Sequence, residues 1–171
     1  MPLGHLGIPL LVPIFGRRVD LDVRLLMLGA LLPDIIDKPL GHLILPENNG
    51  RIFAHTLAFA AVVLILGFFW KPGLSLSLGV SFHHIQDGMF LDHRTSLWPL
   101  LGPFESYDFE VYQWFEAFGD PYVISEEVIG ILILVGFIAS FGLYRRSKLI
   151  TFIRSGRIER EKNPKKPMNT R

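Results

Sequence analysis

The chain has 171 residues, half of them hydrophobic, and its mean hydropathy is positive. That length suits one compact domain, and that composition argues against an average soluble domain and for a small integral membrane protein. Cysteine is absent, which excludes disulfides, thiolate ligands and iron–sulfur clusters and leaves His, Asp, Glu, backbone and water to hold any metal.

The net charge of +1 hides an asymmetry. From residue 145 onward there are ten Lys/Arg and two Glu, whereas between residues 34 and 127 twelve acids face four bases. Residues 4–15 are apolar but too short to cross a bilayer as a straight helix, so a short buried or re-entrant helix is expected. No basic segment precedes this run, and Pro2, Pro9 and Pro13 interrupt it, so it is expected to stay in the mature protein rather than act as a cleaved signal. Asp20 or Asp22 is placed to cap a helix over residues 23–32, which Pro33 is expected to close. Residues 34–51, with Pro39, Pro46 and Asn48-Asn49-Gly50, read as a loop. Residues 55–70 and 74–91 are apolar and separated only by Lys71-Pro72-Gly73, the pattern of an antiparallel helical hairpin. Residues 92–122 are aromatic and acidic, and a short helix over residues 110–118 is expected there, either at a membrane interface or in ordinary packing.

Residues 126–144 form the best spanning segment, stopped by Arg145-Arg146-Ser147-Lys148. The last ten residues read as disordered. The expectation is therefore an all-α integral membrane bundle of four or five apolar helices over residues 1–144, followed by a basic tail over residues 145–171. The positive-inside rule puts that tail in the cytoplasm, together with Arg17, Arg18, Arg24 and Lys71. The same topology brings His5, Asp34, His55, His83 and Asp87 to the outer ends of their segments. No step of the charge argument used those residues.

His83 and Asp87 are four apart, so a helix projects them from one face. An imidazole and a carboxylate at that spacing are half of a metal site, and ionisable groups in so apolar a segment need satisfaction. A hydrogen-bonded structural pair is the plain alternative. Taken singly, His5 reads as a terminal polar residue, Asp34 as a helix-ending residue and His55 as a cap. His42 and His84 read as packing or surface residues. Five such groups meeting at one level favour a metal.

The ordered set Gly4-His5, Leu32-Pro33-Asp34-Ile35-Ile36-Asp37, Arg51-Ile52-Phe53-Ala54-His55-Thr56, His83-x-x-x-Asp87 and Trp98-Pro99 resembles the membrane-bound metal-dependent hydrolases of YdjM and YbcI type. Departures are Asp37, displaced by one residue, Gly50 where a His is usual, and Phe82 where a Ser is usual. That family is in turn similar to the zinc-dependent phospholipase C and P1 nuclease group, which implies an all-helical core of that kind. The resemblance carries His5, Asp34, His55, His83, Asp87 and His93 over as ligands of one or two divalent ions, zinc before manganese or magnesium. It implies that Asp34 also serves in catalysis. Arg51, four residues before His55, could bind a phosphate oxygen or anchor the chain at the interface.

The implied activity is hydrolysis of a phosphoester, with a lipid-like substrate suggested by a site at headgroup depth and membrane lipid as a partner. No nucleic acid is expected. The rival readings are a non-catalytic metal-binding membrane protein and a membrane scaffold that works through its basic tail. The roles of Asp37, His42 and His84 and the oligomeric state are left open.

Overall fold

The computed structural model describes residues 2–16, 20–108, 110 and 112–158. All the regular secondary structure among those residues is helical, with no strand. The N-terminal arm is α1 (Pro2–Gly7), a 3-10 turn at Ile8–Leu10 and α2 (Leu11–Phe15). It is followed by α3 (Val23–Pro39), α4 (Leu57–Phe69), α5 (Gly73–Gln86), the short α6 (His93–Ser96) and α7 (Tyr112–Ala117), the long α8 (Pro121–Phe141) and α9 (Arg146–Ser155).

Three of the longer helices, α3, α4 and α8, start where a side chain can take unsatisfied N–H groups. Asp22 accepts from the backbone of Arg24 and Leu25, Thr56 from Phe59, and Asp120 from Tyr122. Thr56, not His55, is therefore the cap of α4. Pro33 does not close α3, as the sequence had suggested. The helix runs on to Pro39 and widens into a π-turn at Leu40–Ile44. Pro33 is buried and removes only the bond to the Gly29 carbonyl. The adjacent Ala30 carbonyl takes a hydrogen bond from the ring of His83.

The most extensive packing is α3 against α5, followed by α1 against α8 and α4 against α5. Glycines set two of these approaches. A Cβ on Gly29 would run into the Leu76 carbonyl, and one on Gly79 into the Leu26 carbonyl. Backbone thus meets backbone from both sides of the α3–α5 crossing, and one turn beyond it lie Asp34 and His83. The docking of α1 on α8 depends likewise on Gly7 and Gly130.

At the far end, Leu10, Val23, Phe137, Phe141 and Leu143 form an apolar cluster that Phe152 and Ile158 extend. Arg24 reaches over to the carbonyls of Ile153 and Arg154 at the end of α9. The first part of the basic tail is therefore an ordered, docked helix. The final ten residues, expected to be disordered, lie outside the described residues.

Of the described helices, α8 alone is long and apolar enough to cross a membrane. Its 21 residues span roughly 31 Å at 1.5 Å per residue, against a hydrocarbon core of about 30 Å. α4 is apolar but has 13 residues, or roughly 20 Å. Among the described residues, one helix of spanning length is accompanied by shorter apolar helical segments at Pro2–Phe15 and Leu57–Phe69. Large apolar side chains stand exposed along both α4 and α8, including Leu66, Phe68, Leu132 and Val135.

Candidate metal centre

Four segments meet at the end of the bundle opposite α9. α1 supplies His5, and the second half of α3 supplies Asp34, Asp37 and Lys38. The 3-10 turn at Phe53–His55 supplies His55, and the end of α5 supplies His83 and its cap residue Asp87. One donor atom from each of Asp34, His55, His83 and Asp87 lies within 4.8 Å of all the others. His55 and His83 are fully buried, and the two carboxylates are nearly so.

The partners of the two rings fix their tautomers. The Nδ1 of His83 is 2.8 Å from the Ala30 carbonyl, which can only accept, so that nitrogen carries a proton. The Nδ1 of His55 is 2.7 Å from Asp37 Oδ2 and donates to it. Both Nε2 atoms are then left with lone pairs, and they face each other at 3.1 Å. Two lone pairs at that distance repel unless a cation or a shared proton lies between them. Two Zn–N bonds of about 2.05 Å at a tetrahedral angle would place their nitrogens roughly 3.3 Å apart. The carboxylates complete the set. Asp87 Oδ2 is 3.4 Å from the Nε2 of His55 and 3.8 Å from that of His83. Asp34 Oδ1 is 3.7 Å and 3.9 Å from the same atoms. The donor set of two imidazoles and two carboxylates suits a divalent cation, so these residues fit the group that the sequence led us to expect.

The surrounding shell holds the donors in place. Asp37 is completely buried. It accepts from the backbone N–H groups of Ile52, Ala54 and His55 at 2.8–3.1 Å as well as from the ring of His55. Its charge is spent on fixing the turn and the His55 ring, the carboxylate–histidine arrangement that orients metal ligands. His84 binds the Ala54 carbonyl through Nε2 at 3.0 Å and braces the same turn from α5. Lys38 pairs with Asp34 Oδ2, leaving Oδ1 toward the imidazoles. Three carboxylates (Asp34, Asp37, Asp87) thus face two cations (Lys38, Arg51), which favours one further positive charge, on an ion or on a ring.

The remaining sequence-derived residues are placed as follows. His5 is buried and binds Asp87 Oδ1 through Nε2 at 2.9 Å. It touches the four-donor group through that carboxylate, and its Nδ1 has no hydrogen-bond partner. Arg51 is half-exposed, with Nε 3.1 Å from Asp87 Oδ2. His93 is not brought to the cluster. It opens α6, exposed, and lines a separate cavity with Met89, Phe90 and Leu97. α5 ends at Gln86 with Asp87 as its cap, so the spacing that matches the related group no longer projects His93 inward. His42 lies outside the cluster, with Nδ1 2.9 Å from Asn48 Oδ1.

Sequence reasoning left the role of Asp37 open and did not single out Lys38. The signal was present in their offsets of three and four residues from Asp34, which put all three on one helical face. It was hidden by the expectation that Pro33 ended the helix.

Comparison with known proteins found no matching family model, no matching curated protein and no matching solved structure.

Proposed function

We propose that the chain is a membrane-bound, metal-dependent hydrolase of phosphoesters. The observation that carries the reading is the pair of Nε2 atoms, each with its opposite ring nitrogen committed as a donor, facing each other between two carboxylates. Zinc suits the nitrogen-containing donor set best, and manganese and magnesium are the alternatives. A divalent ion bound there supplies Lewis-acid polarisation of a phosphoryl oxygen and a lowered pKa for water.

The chain's own residues account for the rest. Arg51, at the edge of the cluster, offers a guanidinium fork for the non-bridging phosphate oxygens. Asp34 is the carboxylate that takes the proton of the attacking water as the new P–O bond forms. The P–O bond to the alcohol breaks, and the proton that Asp34 took from the water passes to the departing alkoxide, which leaves as the alcohol. Supporting the membrane setting are the length of α8 and the exposed apolar faces of α4 and α8. The basic residues of α9 lie at the end away from the site, which suits a cytoplasmic tail and an extracytoplasmic site. A lipid-like phosphoester then reaches the cluster from the bilayer surface.

The deciding experiment measures metal content and turnover of a chromogenic phosphodiester by detergent-purified full-length protein, beside a His83→Ala/Asp87→Ala variant. One ion per chain with turnover, both lost in the variant, is the expected result. Protein that binds no divalent metal after reloading would sink the reading.

One observation favours a second reading, a metal-binding membrane protein without catalysis. Four protein donors already satisfy a tetrahedral ion, as in closed structural zinc sites. Cobalt-loaded protein separates the two. A visible spectrum that shifts on adding phosphate marks an open position, and an unchanged spectrum with no turnover marks the closed site.

A further inference from the structure

Beside the cluster lies a cavity of about 430 Å³ that the hydrolytic reading leaves without a role. Its near wall is formed by Lys38 and Arg51, the two cations that hold Asp34 and Asp87. Arg51 meets Asp87 through Nε, so its two terminal nitrogens remain for another acceptor. Asn48, Tyr107, Asp108 and Gln113, on the loops and the short helix across from α3, bring further polar groups to the lining.

The wall is built rather than incidental. Asn49 is buried, takes the Arg51 N–H on its side-chain oxygen at 2.8 Å and donates to the Glu105 carbonyl at 2.9 Å. That ties the Arg51 loop to the segment carrying Tyr107. Tyr107 is fixed twice, by its backbone N–H on the Glu47 carbonyl and by its hydroxyl on Glu105 at 3.1 Å. The bond to Glu105 and the charge of that carboxylate push the phenol up from its ordinary pKa, so it remains a neutral hydroxyl at physiological pH. The π-turn that brings His42 to the lining also exposes Leu43 and Ile44, 82% and 72% accessible.

We infer that this cavity is the headgroup subsite of the proposed hydrolase, taking a neutral polyhydroxylated group, a sugar or polyol, esterified to the phosphate that Lys38 and Arg51 hold. The inference rests on the phosphoesterase reading and extends it to the class of alcohol. Two cations at the neck select an anionic phosphate. The volume is in the range of small-molecule sites. Amide, phenol and carboxylate groups around the cavity can exchange hydrogen bonds with several hydroxyls. A quaternary ammonium headgroup has no match there, because recognition of such a cation relies on a cage of aromatic faces. Tyr107 and the imidazole of His42 are the two aromatic rings among the described lining residues, too few for such a cage. Leu43 and Ile44, exposed next to His42 in the π-turn, match an apolar chain that stays in the bilayer.

The test is calorimetric binding of glycerol 1-phosphate, inositol 1-phosphate, phosphocholine and inorganic phosphate to zinc-loaded, detergent-solubilised full-length protein. The polyol phosphates should bind at least tenfold tighter than phosphocholine and inorganic phosphate. Gln113→Trp, which places bulk in the cavity, should bring them down to the level of inorganic phosphate. If that variant does not fold, the ranking in the unaltered protein decides. Phosphatidylglycerol in mixed micelles, compared with glycerol 1-phosphate, separates the sources. Tighter binding of the lipid supports a lipid headgroup, and equal binding supports a soluble ester, in the same subsite. Equal affinity for all four soluble probes, with turnover of a chromogenic phosphodiester intact, overturns the subsite alone. No binding of any probe together with no turnover overturns the hydrolase reading as well.

Discussion

The Nε2 atoms of His55 and His83 face each other at 3.1 Å, and both rings donate through Nδ1 elsewhere. A proton shared between the rings and a metal ion are the two ways to relieve that contact, and they differ in measurable ways. With a metal, elemental analysis gives one divalent ion per chain, and chelation lowers the melting temperature. Zinc at a hundredfold excess over its dissociation constant stabilises the folded state by about 2.7 kcal/mol. With a shared proton, chelators leave the melting temperature unchanged and zinc adds nothing. We expect the first pattern.

Asp37 provides a separate check, because it touches the proposed ion only through His55. Asp37→Asn keeps the shape but replaces one acceptor oxygen with an NH2 group that faces donors. The His55 ring and the backbone N–H groups of Ile52, Ala54 and His55 then compete for a single oxygen. Metal affinity should fall by roughly 10- to 100-fold, and stability by about 3 kcal/mol, as when one partner of a buried charged network is removed. A variant that is destabilised but keeps its affinity would show that Asp37 fixes the turn and not the ligand.

Much of this site was legible in the sequence, for a physical reason. His83 and Asp87 interrupt an apolar stretch at helical spacing, and Asp34, His55 and His5 do the same elsewhere, so a shared solution could be read without coordinates. What the sequence hid lies on either side of Pro33. A proline after an apolar run ordinarily marks a boundary, but here α3 passes through it. That continuation turns Asp37 and Lys38 from loop residues into the support of the site. His93 failed in the opposite way. A spacing borrowed from a resemblance holds only if one helix spans it, and α5 ends at Gln86. That one described helix reaches spanning length follows from helix length, since hydropathy marks apolar segments but tertiary turns decide how long each helix is.

The crossing of α3 and α5 should couple fold and site. Gly79→Val inserts side-chain atoms where the Leu26 carbonyl and the backbone of Gly29 and Ala30 already lie. The helices must then separate, carrying Asp34 away from His83. The expected result is a loss of several kcal/mol, beyond the 1–3 kcal/mol typical of overpacking because backbone and not side chain must yield, together with loss of metal. Gly136→Ala is the control. It has open space around it and should be neutral or slightly stabilising, since alanine is the better helix former by about 1 kcal/mol. Thermal melts in detergent, with metal content measured on the same samples, distinguish the two.

At the other end of the bundle, Asp22 caps α3 while Arg24 folds back onto it and reaches α9. The Arg24 guanidinium holds the Asp22 carboxyl below its ordinary pKa. A carboxylate whose folded pKa is depressed contributes stability that is present above the unfolded value, near 3.9, and lost as pH falls through the folded value. Asp22→Ala should cost about 1 kcal/mol at neutral pH through the lost cap, and the gap from the unaltered protein should shrink on acidification below pH 4. A constant gap across that range would mean that the charge contributes nothing beyond the hydrogen bonds.

Arg51 lies at the boundary between cluster and cavity, so its substitution separates binding from chemistry. Its Nε pairs with Asp87, yet Asp87 is held independently by His5 and by its place at the end of α5. Arg51→Ala should therefore retain stoichiometric metal. A lost charge-assisted contact of about 1.5–3 kcal/mol corresponds to a KM for phosphodiesters raised roughly 10- to 150-fold if the contact is made equally in ground and transition states. Arg51→Lys restores the charge but not the planar fork, and should recover only part of the loss. If Arg51→Ala abolished metal binding while leaving the fold intact, Arg51 would be a structural counter-ion of Asp87 and its assignment to the phosphate would fall.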